Sequence, residues 1–298
     1  MSSPEPTSDT TVVTAAVLRD WPLPEPGAGK ESRGRTLIIG GSTTTPGAVL
    51  LGAEAALRSG AGKLQVATVE SLAGAVAVAL PEAMVVPLAE SRGGGIAPSA
   101  AEELLELAND ADSVLLGPGM TDPDATWELM NAFVPGLSTP LILDALALIR
   151  LNDDPAHVRH LQRRVTLTPN RKELAMVLGL EEDEIDEDPG RAAVELAKRS
   201  AATVTAGGEE SWTASPDGRT WRDPSGGVGL GVSGSGDVFA GIVTGLCARG
   251  ASPEQAAVWA SFLHGRAGDR LASTIGRVGF LARELPAQVP LVLSEIEV

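Results

Sequence analysis

The chain has 298 residues, of which 43% are hydrophobic, and a formal net charge of −16 at pH 7. This length and composition fit one large or two small globular domains. The acidic balance argues against nucleic acid or an acidic membrane as a partner, because both attract basic patches. The one cysteine, Cys247, rules out a disulfide framework and indicates a core thiol in a reducing setting.

The first residues are rich in Ser, Thr, Pro and Glu and lack the basic-then-apolar order of a signal peptide. No apolar run reaches the roughly 20 residues that a membrane helix needs. We therefore expect a disordered tail over residues 1–13, a single domain over residues 14–298, and a cytoplasmic location.

From Arg35 onward, short β-rich runs alternate with helical segments, which predicts an α/β fold with a parallel sheet covered by helices. Two further runs, at residues 212–214 and 220–222, predict a hairpin on the edge of the sheet. The acidic block at residues 181–188 is interpreted as a solvated loop rather than a metal site. Strands are predicted at residues 35–39, 64–68, 84–86, 113–116, 140–143, 164–167 and 202–205, and helices at 47–59, 72–80, 99–108, 172–178, 238–247 and from 252 onward.

Unusual residues follow several of these predicted strands directly. They are Gly41, Gly119, Asp144, Asn170 and Gly208. In open α/β folds the ligand crevice lies outside the carboxyl ends of the strands, so five such residues on one edge indicate a site. Any single glycine among them is equally well explained by a turn that needs a positive φ.

The stretch Gly234-Ser235-Gly236-Asp237 opens directly into an apolar helix. Amides in the first turn of a helix lack intrahelical partners, and the helix dipole is positive there, so a phosphate group is the natural ligand. A carboxylate beside bound phosphates can take a proton from an attacking hydroxyl, which makes Asp237 a candidate general base. The alternative is a first-turn acid that only complements the dipole.

Motifs along nearly the whole chain resemble those of a known family. They are Gly40-Gly41-Ser42, Gly47-Ala48, residues 58–62, Pro81-Glu82-Ala83-Met84, Gly117-Pro118-Gly119, Leu143-Asp144-Ala145, Thr168-Pro169, residues 234–238 and residues 264–269. The chain resembles the ribokinase-like fold and, within it, the carbohydrate-kinase-like NAD(P)H-hydrate dehydratases. The resemblance implies a three-layer α/β/α architecture around a central, mostly parallel sheet.

The resemblance also implies a repair reaction. Hydrated NADH or NADPH would be dehydrated at the expense of ADP or ATP with Mg²⁺, the hydroxyl being phosphorylated and then lost as phosphate. Relatives often form homo-oligomers. By matching position, the hydrated dinucleotide would be bound by Ala48, Gly119, Asn170 and Asp237, and the adenine nucleotide by Gly207, Gly208, Glu209, Glu210, Ser211, Gly234, Ser235 and Gly236.

The sequence departs from the family pattern at several ligand positions. Leu146 stands where the pattern has a second Asp, Gly207 where it has a Lys, and Asn170 where it has a His. A charged hydrogen bond is typically worth about 1.5–3 kcal/mol, so these changes weaken ligand contacts.

Asn170 and Glu173 together spell the Asn-x-x-Glu that sugar and vitamin kinases of the same fold use near Mg²⁺. Glu173 would then hold the metal through water, although a first-turn acid of the following helix explains it as well. The sequence thus leaves open a small-molecule kinase and a nucleotide-binding relative that has lost catalysis. His264, in a mainly apolar helix, is expected to be structural.

Overall fold

The computed structural model describes residues 10–297 and contains a ten-stranded sheet. In space the strands follow the order β1-β10-β9-β8-β7-β6-β5-β2-β3-β4, and only the β8–β9 and β9–β10 pairs are antiparallel. In chain order the strands are Thr11–Val12, Arg35–Ile39, Lys63–Val69, Ala83–Leu88, Ser113–Leu116, Leu141–Leu143, Val165–Leu167, Thr203–Ala206, Ser211–Ala214 and Thr220–Asp223.

Twelve α-helices are present in the described residues. In chain order, α1 to α12 are Ala15–Arg19, Gly47–Arg58, Glu70–Ala79, Ala101–Asn109, Pro123–Phe133, Arg150–Asp153, Arg171–Leu178, Glu182–Glu187, Pro189–Ser200, Ser235–Ala248, Pro253–Thr274 and Val289–Ile296. Measured over residues 10–297, none of these helices has both the length and the apolar character needed to span a bilayer.

The helices cover both faces of the sheet, as β2 illustrates. Leu37 and Ile39 belong to the core beneath α4, α5, α7 and α9, whereas Ile38 belongs to the core beneath α2, α10, α11 and α12. All three side chains are fully buried, as expected for a parallel strand with both faces covered. The predicted three-layer α/β/α architecture with a mostly parallel sheet is confirmed.

Two glycines bring α10 into backbone contact with α2. A Cβ atom added at Gly241 would lie 2.2 Å from the carbonyl oxygen of Gly52, and one added at Gly245 would lie 2.3 Å from that of Ala56. Residues 241 and 245 are one turn apart and therefore lie on the same side of α10. This contact fixes the position of α10 relative to the sheet.

Residues 11–13, which were predicted to belong to a disordered tail, are part of the fold. Thr11 and Val12 pair in parallel with Trp221 and Arg222 of β10, and Val13 is buried. The edge of β10 supplies the backbone hydrogen-bond partners of this segment. The local sequence of residues 11–13 does not indicate this pairing, so it was not predicted. The rest of the predicted tail, residues 1–9, lies outside the described residues.

The predicted hairpin forms as β9 and β10, but β1 covers its outer strand, so the ends of the sheet are β1 and β4. The acidic block was wrongly predicted as a loop, because it contains the helix α8. Arg171 forms ion pairs with Glu182 and Asp186 of this helix at 3.3 and 2.9 Å, which offsets part of the repulsion between its carboxylates.

Candidate active site

The ends of five neighbouring strands meet at one edge of the sheet. Backbone hydrogen bonds tie the segments after these strands together: Gly41 donates to Pro118, Asp144 to Leu116 and Gly207 to Pro169. Because β2, β5, β6, β7 and β8 run parallel, their carboxyl ends all lie at this edge. The polar and glycine residues that follow them thus share one surface, as the sequence predicted.

A cavity of about 940 Å³ opens at this edge. Its lining includes residues 207–211 together with Gly234, Ser235 and Gly236, which are all the positions predicted for the adenine nucleotide. Asn170, predicted for the dinucleotide, also borders it. The volume lies within the range of small-molecule and cofactor pockets, about 300–1,000 Å³.

The N-terminus of α10 faces this cavity. Gly234 caps the helix with φ +91°, a backbone conformation that favours glycine, and Ser235 is buried. The amides of Gly236 and Asp237 donate to no other group in the described residues. A Cβ atom added at Gly236 would meet nothing within 4 Å. The first turn therefore offers two amide donors and open space, which is the arrangement that binds phosphate.

Asp237 is half-buried in this first turn, and its carboxylate accepts no hydrogen bond from residues 10–297. Burial, followed by the negative charge of Glu173, raises the pKa of Asp237 to about 6. A carboxylate with a pKa near the working pH is a better general base than an ordinary one. The side chain is thus ionised at pH 7 and still basic enough to take a proton.

Ala48 and Gly119, predicted for the dinucleotide, lie against each other. A Cβ atom added at Gly119 would be 3.0 Å from that of Ala48 and 2.4 Å from the carbonyl oxygen of Thr45. Neither residue lines the 940 Å³ cavity. One turn after Ala48, Gly52 contacts the backbone of Asp237 across the α2–α10 interface. Asp237 thus lies beside the helix that carries Ala48, and its neighbour Gly236 lines the cavity.

Asn170 and Glu173 cap the helix α7. The Asn170 side chain accepts from the Glu173 amide, and the Glu173 carboxylate accepts from the Asn170 amide, both at 2.9 Å. This reciprocal pair is a capping box. Glu173 is therefore a first-turn acid that stabilises the start of α7, which was one of the two interpretations of this residue. Burial raises the pKa of Glu173.

A Mg²⁺ ion could be held at this edge only if phosphate oxygens of a bound nucleotide supply some of its ligands. Within residues 10–297, no three Asp, Glu, His or Cys side chains gather closely enough to hold an ion. Mg²⁺ is usually held by one or two carboxylates, phosphate oxygens and several waters. Atom Oε1 of Glu173 accepts no hydrogen bond from the described residues, so it fits a water-mediated contact.

Asp144 is a second carboxyl at the same edge and is only 5% exposed. Its Oδ1 atom lies 2.7 Å from the hydroxyl of Thr168. Burial, followed by the negative charge of Asp237, raises the pKa of Asp144 to about 8. Its position after β6 was predicted, but its burial was not, because the burial arises from neighbouring strand ends.

Other residues of the cavity were not singled out in the sequence. His264 lines it, and its Nε2 atom lies 3.0 Å from the Ser235 hydroxyl, so its expected structural role includes positioning a predicted ligand residue. Burial lowers the pKa of His264 to about 4, which leaves the ring neutral at pH 7. Arg277, exposed between Gly276 and Gly279, supplies the only Lys or Arg among the described residues of the lining. An isolated Arg between glycines carries too weak a signal to be found from sequence.

The sequence profile of the NAD(P)H-hydrate dehydratase family matches residues 36–291. An ADP-dependent (S)-NAD(P)H-hydrate dehydratase from Xanthomonas campestris is 44% identical over 285 residues, which cover 95% of this chain and 96% of that protein.

Solved structures agree with this result. The ADP/ATP-dependent NAD(P)H-hydrate dehydratase of Bacillus subtilis, co-crystallised with ATP and Mg²⁺, is 26% identical with a TM-score of 0.79, covering 97% of this chain and 99% of that one. A ribokinase-like superfamily protein from Enterococcus faecalis, 20% identical with a TM-score of 0.81 over 99% of each chain, shares the fold.

Proposed function

Since the chain belongs to the NAD(P)H-hydrate dehydratase family, we propose that it converts hydrated NAD(P)H back to NAD(P)H at the expense of ADP or ATP. One observation carries the proposal: the cavity at the sheet edge is bordered by the open first turn of α10, and the next residue is a half-buried acid. This combination supplies a phosphate-binding helix terminus and a proton acceptor side by side.

The adenine nucleotide binds in the 940 Å³ cavity along residues 207–211. Its phosphates reach the first turn of α10, where the amides of Gly236 and Asp237 are available as donors. Ser235 is held by His264 and adds a hydroxyl beside these amides. Arg277 at the cavity lining contributes positive charge that partly replaces the missing Lys at Gly207.

Asp237 is the general base of the reaction. Its carboxylate removes the proton from the hydroxyl of the hydrated nicotinamide ring as that oxygen attacks the terminal phosphoryl group of the nucleotide. The phosphorylated hydroxyl then leaves as phosphate, and the neighbouring ring carbon releases a proton to water, so that the electron pair of its C–H bond forms the restored double bond of the ring. Ala48 and Gly119, beside α2, bind the hydrated dinucleotide.

Mg²⁺ would be held by the nucleotide phosphates, with Glu173 contacting it through water, and would supply charge compensation for the transferred phosphoryl group. Glu173 itself keeps the start of α7 in place and, through its negative charge, raises the basicity of Asp237.

The small-molecule kinase alternative rests on Asn170 and Glu173, and the capping box weakens it. The side-chain oxygen of Asn170 and one carboxylate oxygen of Glu173 are engaged by backbone amides of the helix terminus. Both residues therefore have a purpose in the fold that requires no sugar or vitamin substrate.

The assay that tests the proposal follows the recovery of reduced-nicotinamide absorbance from NADH hydrate or NADPH hydrate with ADP or with ATP. We expect recovery that depends on the nucleotide. No recovery with either nucleotide, together with nucleotide binding by calorimetry, would identify a relative that has lost catalysis. Consumption of ATP only with a sugar or vitamin alcohol would identify a kinase.

The proposal also includes a cytoplasmic location and a homo-oligomer. The buried thiol of Cys247 suits a reducing compartment. Cell fractionation tests the location, and light scattering of the purified protein tests the assembly.

A further inference from the structure

The loop after β4, residues 89–97, lies at the same edge of the sheet as the candidate active site. β4 runs parallel to β3, and β3 runs parallel to β2, so the carboxyl ends of all three strands lie together. The loop tip, residues 91–95, is closed by a hydrogen bond from the Ser91 amide to the carbonyl oxygen of Gly95 at 2.8 Å. The position of this tip is set by the segments that it contacts.

Two neighbouring segments hold the loop tip against the edge. The Ser91 hydroxyl donates to Oδ2 of Asp122 at 2.6 Å. The amide of Thr43 donates to the carbonyl oxygen of Gly94 at 3.0 Å. Gly94 has φ +77°, which favours glycine, and a Cβ atom added there would lie 2.3 Å from the Thr43 hydroxyl. The loop tip therefore lies in direct contact with both segments.

The segment that contains Thr43 also borders the positions proposed for the hydrated dinucleotide. Two residues further on, the Thr45 hydroxyl donates to the carbonyl oxygen of Gly119 at 2.7 Å. Gly119 in turn lies against Ala48. Residues 43–45 thus lie between the loop tip and the contact of Ala48 with Gly119.

The order of the strands decides in which direction the rest of the dinucleotide extends. The cavity proposed for the adenine nucleotide lies at the ends of β7 and β8. Gly119 follows β5, and β2, β3 and β4 come next in the sheet, on the side away from that cavity. The end of β4 is two strand spacings, about 10 Å, from the end of β2. A dinucleotide whose nicotinamide ring lies between Asp237 and Gly119 therefore extends its phosphates over β2 and β3 toward the loop tip.

Arg92 carries the one charge of the loop tip, and its side chain is exposed. It forms no ion pair with residues 10–297. Two carboxylates beside it are engaged by other groups. Glu90 accepts from the Ser71 amide at 2.7 Å, and Asp122 accepts from the loop tip and from the first turn of α5. The guanidinium group of Arg92 is therefore available to an anionic ligand.

We propose that Arg92 binds a phosphate group of the hydrated dinucleotide, and that the loop tip forms the end of the substrate site farthest from the adenine nucleotide. A guanidinium group donates two parallel hydrogen bonds to phosphate oxygens. Its positive charge also offsets the repulsion between an anionic substrate and a chain of net charge −16. This inference rests on the function proposed above, because the dinucleotide substrate supplies the phosphates.

Binding of NADPH, the product of the proposed repair, tests the inference without turnover. Calorimetry is carried out with saturating ADP, which fills the nucleotide cavity. We expect Arg92→Gln to raise the Kd of NADPH about tenfold, the loss typical of one charged hydrogen bond. Arg33→Gln removes an exposed charge just before β2, at the opposite edge of the sheet, and should leave this Kd unchanged. A Kd of Arg92→Gln within about twofold of wild type overturns the proposal.

The same measurement with NADH identifies the phosphate. The pyrophosphate is common to NADH and NADPH, whereas the 2′-phosphate belongs to NADPH alone. Weaker binding of both dinucleotides to Arg92→Gln assigns the pyrophosphate to Arg92, and weaker binding of NADPH alone assigns the 2′-phosphate. The affinity for ADP measured alone should stay the same in this variant. A matching loss of ADP affinity would place Arg92 at the nucleotide instead and overturn the proposal.

Steady-state repair separates this inference from the proposed function. Arg92→Gln should raise KM for the hydrate with kcat unchanged, because the contact is made equally in the ground state and in the transition state. A loss of kcat with KM unchanged overturns the binding role of Arg92 alone. A wild type that neither binds NADPH nor repairs its hydrate overturns the proposed function, and this inference with it.

Discussion

Different degrees of burial give Asp144 and Asp237, two identical side chains at one edge of the sheet, different pKa values. Asp144 is nearly inaccessible, with a pKa of about 8, whereas the half-buried Asp237 has a pKa of about 6. Two titratable groups whose environments move their pKa values apart can take different tasks. At pH 7 only Asp237 is mainly ionised, which agrees with its proposed role as the base.

Replacing Asp237 with Asn should lower kcat by 10²–10⁴-fold, because a positioned general base typically contributes that much. Nucleotide affinity should not fall, since the variant removes a negative charge near the phosphates. The measurement is steady-state recovery of reduced nicotinamide, with binding followed by calorimetry. Asp153→Asn, an exposed substitution, serves as the control. A rate of the Asp237→Asn variant within about threefold of wild type would exclude the base assignment.

The activity should depend on pH through Asp237. The base acts when ionised, so kcat/KM should rise with pH and reach half its plateau near pH 6. Glu173→Gln should move this midpoint to lower pH, because it removes the negative charge that raises the pKa of Asp237. Gln retains the capping contact with the Asn170 amide, so α7 should remain folded. A midpoint that stays in place or moves upward in the variant contradicts this coupling.

At the scale of elements, the glycines of α10 have two separate roles, one at the ligand-facing first turn and one in packing against α2. Gly234, with its positive φ, and Gly236, with open space where a Cβ would lie, form the first turn, and Gly241 and Gly245 let the helix touch the backbone of α2. The apolar periodicity of the helix was readable from the sequence. Which glycine serves the ligand and which serves the packing was not, because that depends on the neighbouring helix.

Gly241→Ala should therefore destabilise the fold. The new Cβ would lie 2.2 Å from the carbonyl oxygen of Gly52, so α10 and α2 must separate. Overpacking of this kind typically costs about 1–3 kcal/mol. Denaturant unfolding measures the loss. An unchanged midpoint would show that the helices are not in backbone contact.

Gly236→Ala is the matched substitution in the same helix. Its Cβ would meet no atom of the described chain, so the free energy of unfolding should stay or rise by up to about 1 kcal/mol through better helix propensity. The methyl group would project into the open space at the first turn, so calorimetry should show weaker nucleotide binding. Unimpaired binding would move the phosphate site away from α10.

The order of the strands from β2 to β10 and of six helices followed from alternating β-rich and helical patterns, but β1 and the helices α1, α5, α6, α8, α9 and α12 were not predicted. The strand β1 exists because β10 offers it an edge, and Arg171 of α7 forms an ion pair with Asp186 of α8. Both depend on contacts between segments distant from the local pattern. Local sequence therefore predicts the parallel core well and its periphery less well.

At the scale of the whole molecule, an acidic protein must bind anionic ligands. The chain carries a net charge of −16, and the described lining of the cavity contains one Arg and no Lys. The amide hydrogen-bond donors at the start of α10 must therefore attract the anionic ligand more strongly than the net negative charge of the protein repels it. The shared sheet edge could be predicted because parallel strands end together. The depth of the cavity and the burial of Asp144 required the assembled structure.

Nucleotide binding should stabilise the whole fold. A ligand that binds only the folded state at about 100 times its Kd adds about 2.7 kcal/mol, so ADP should raise the Tm measurably. The Gly236→Ala variant should show a smaller shift at the same ADP concentration. If saturating ADP leaves the wild-type Tm unchanged, binding of ADP to the folded chain is excluded, and the same measurement with ATP tests the other nucleotide.

The most direct measurement is a crystal structure of the Asp237→Asn protein with ADP and NADPH hydrate bound. The account predicts phosphate oxygens at the amides of residues 236 and 237, and the substrate hydroxyl within about 2.6–3.2 Å of the side chain at position 237. A nucleotide on the opposite edge of the sheet, or a side chain at position 237 turned away from the hydroxyl, would contradict it.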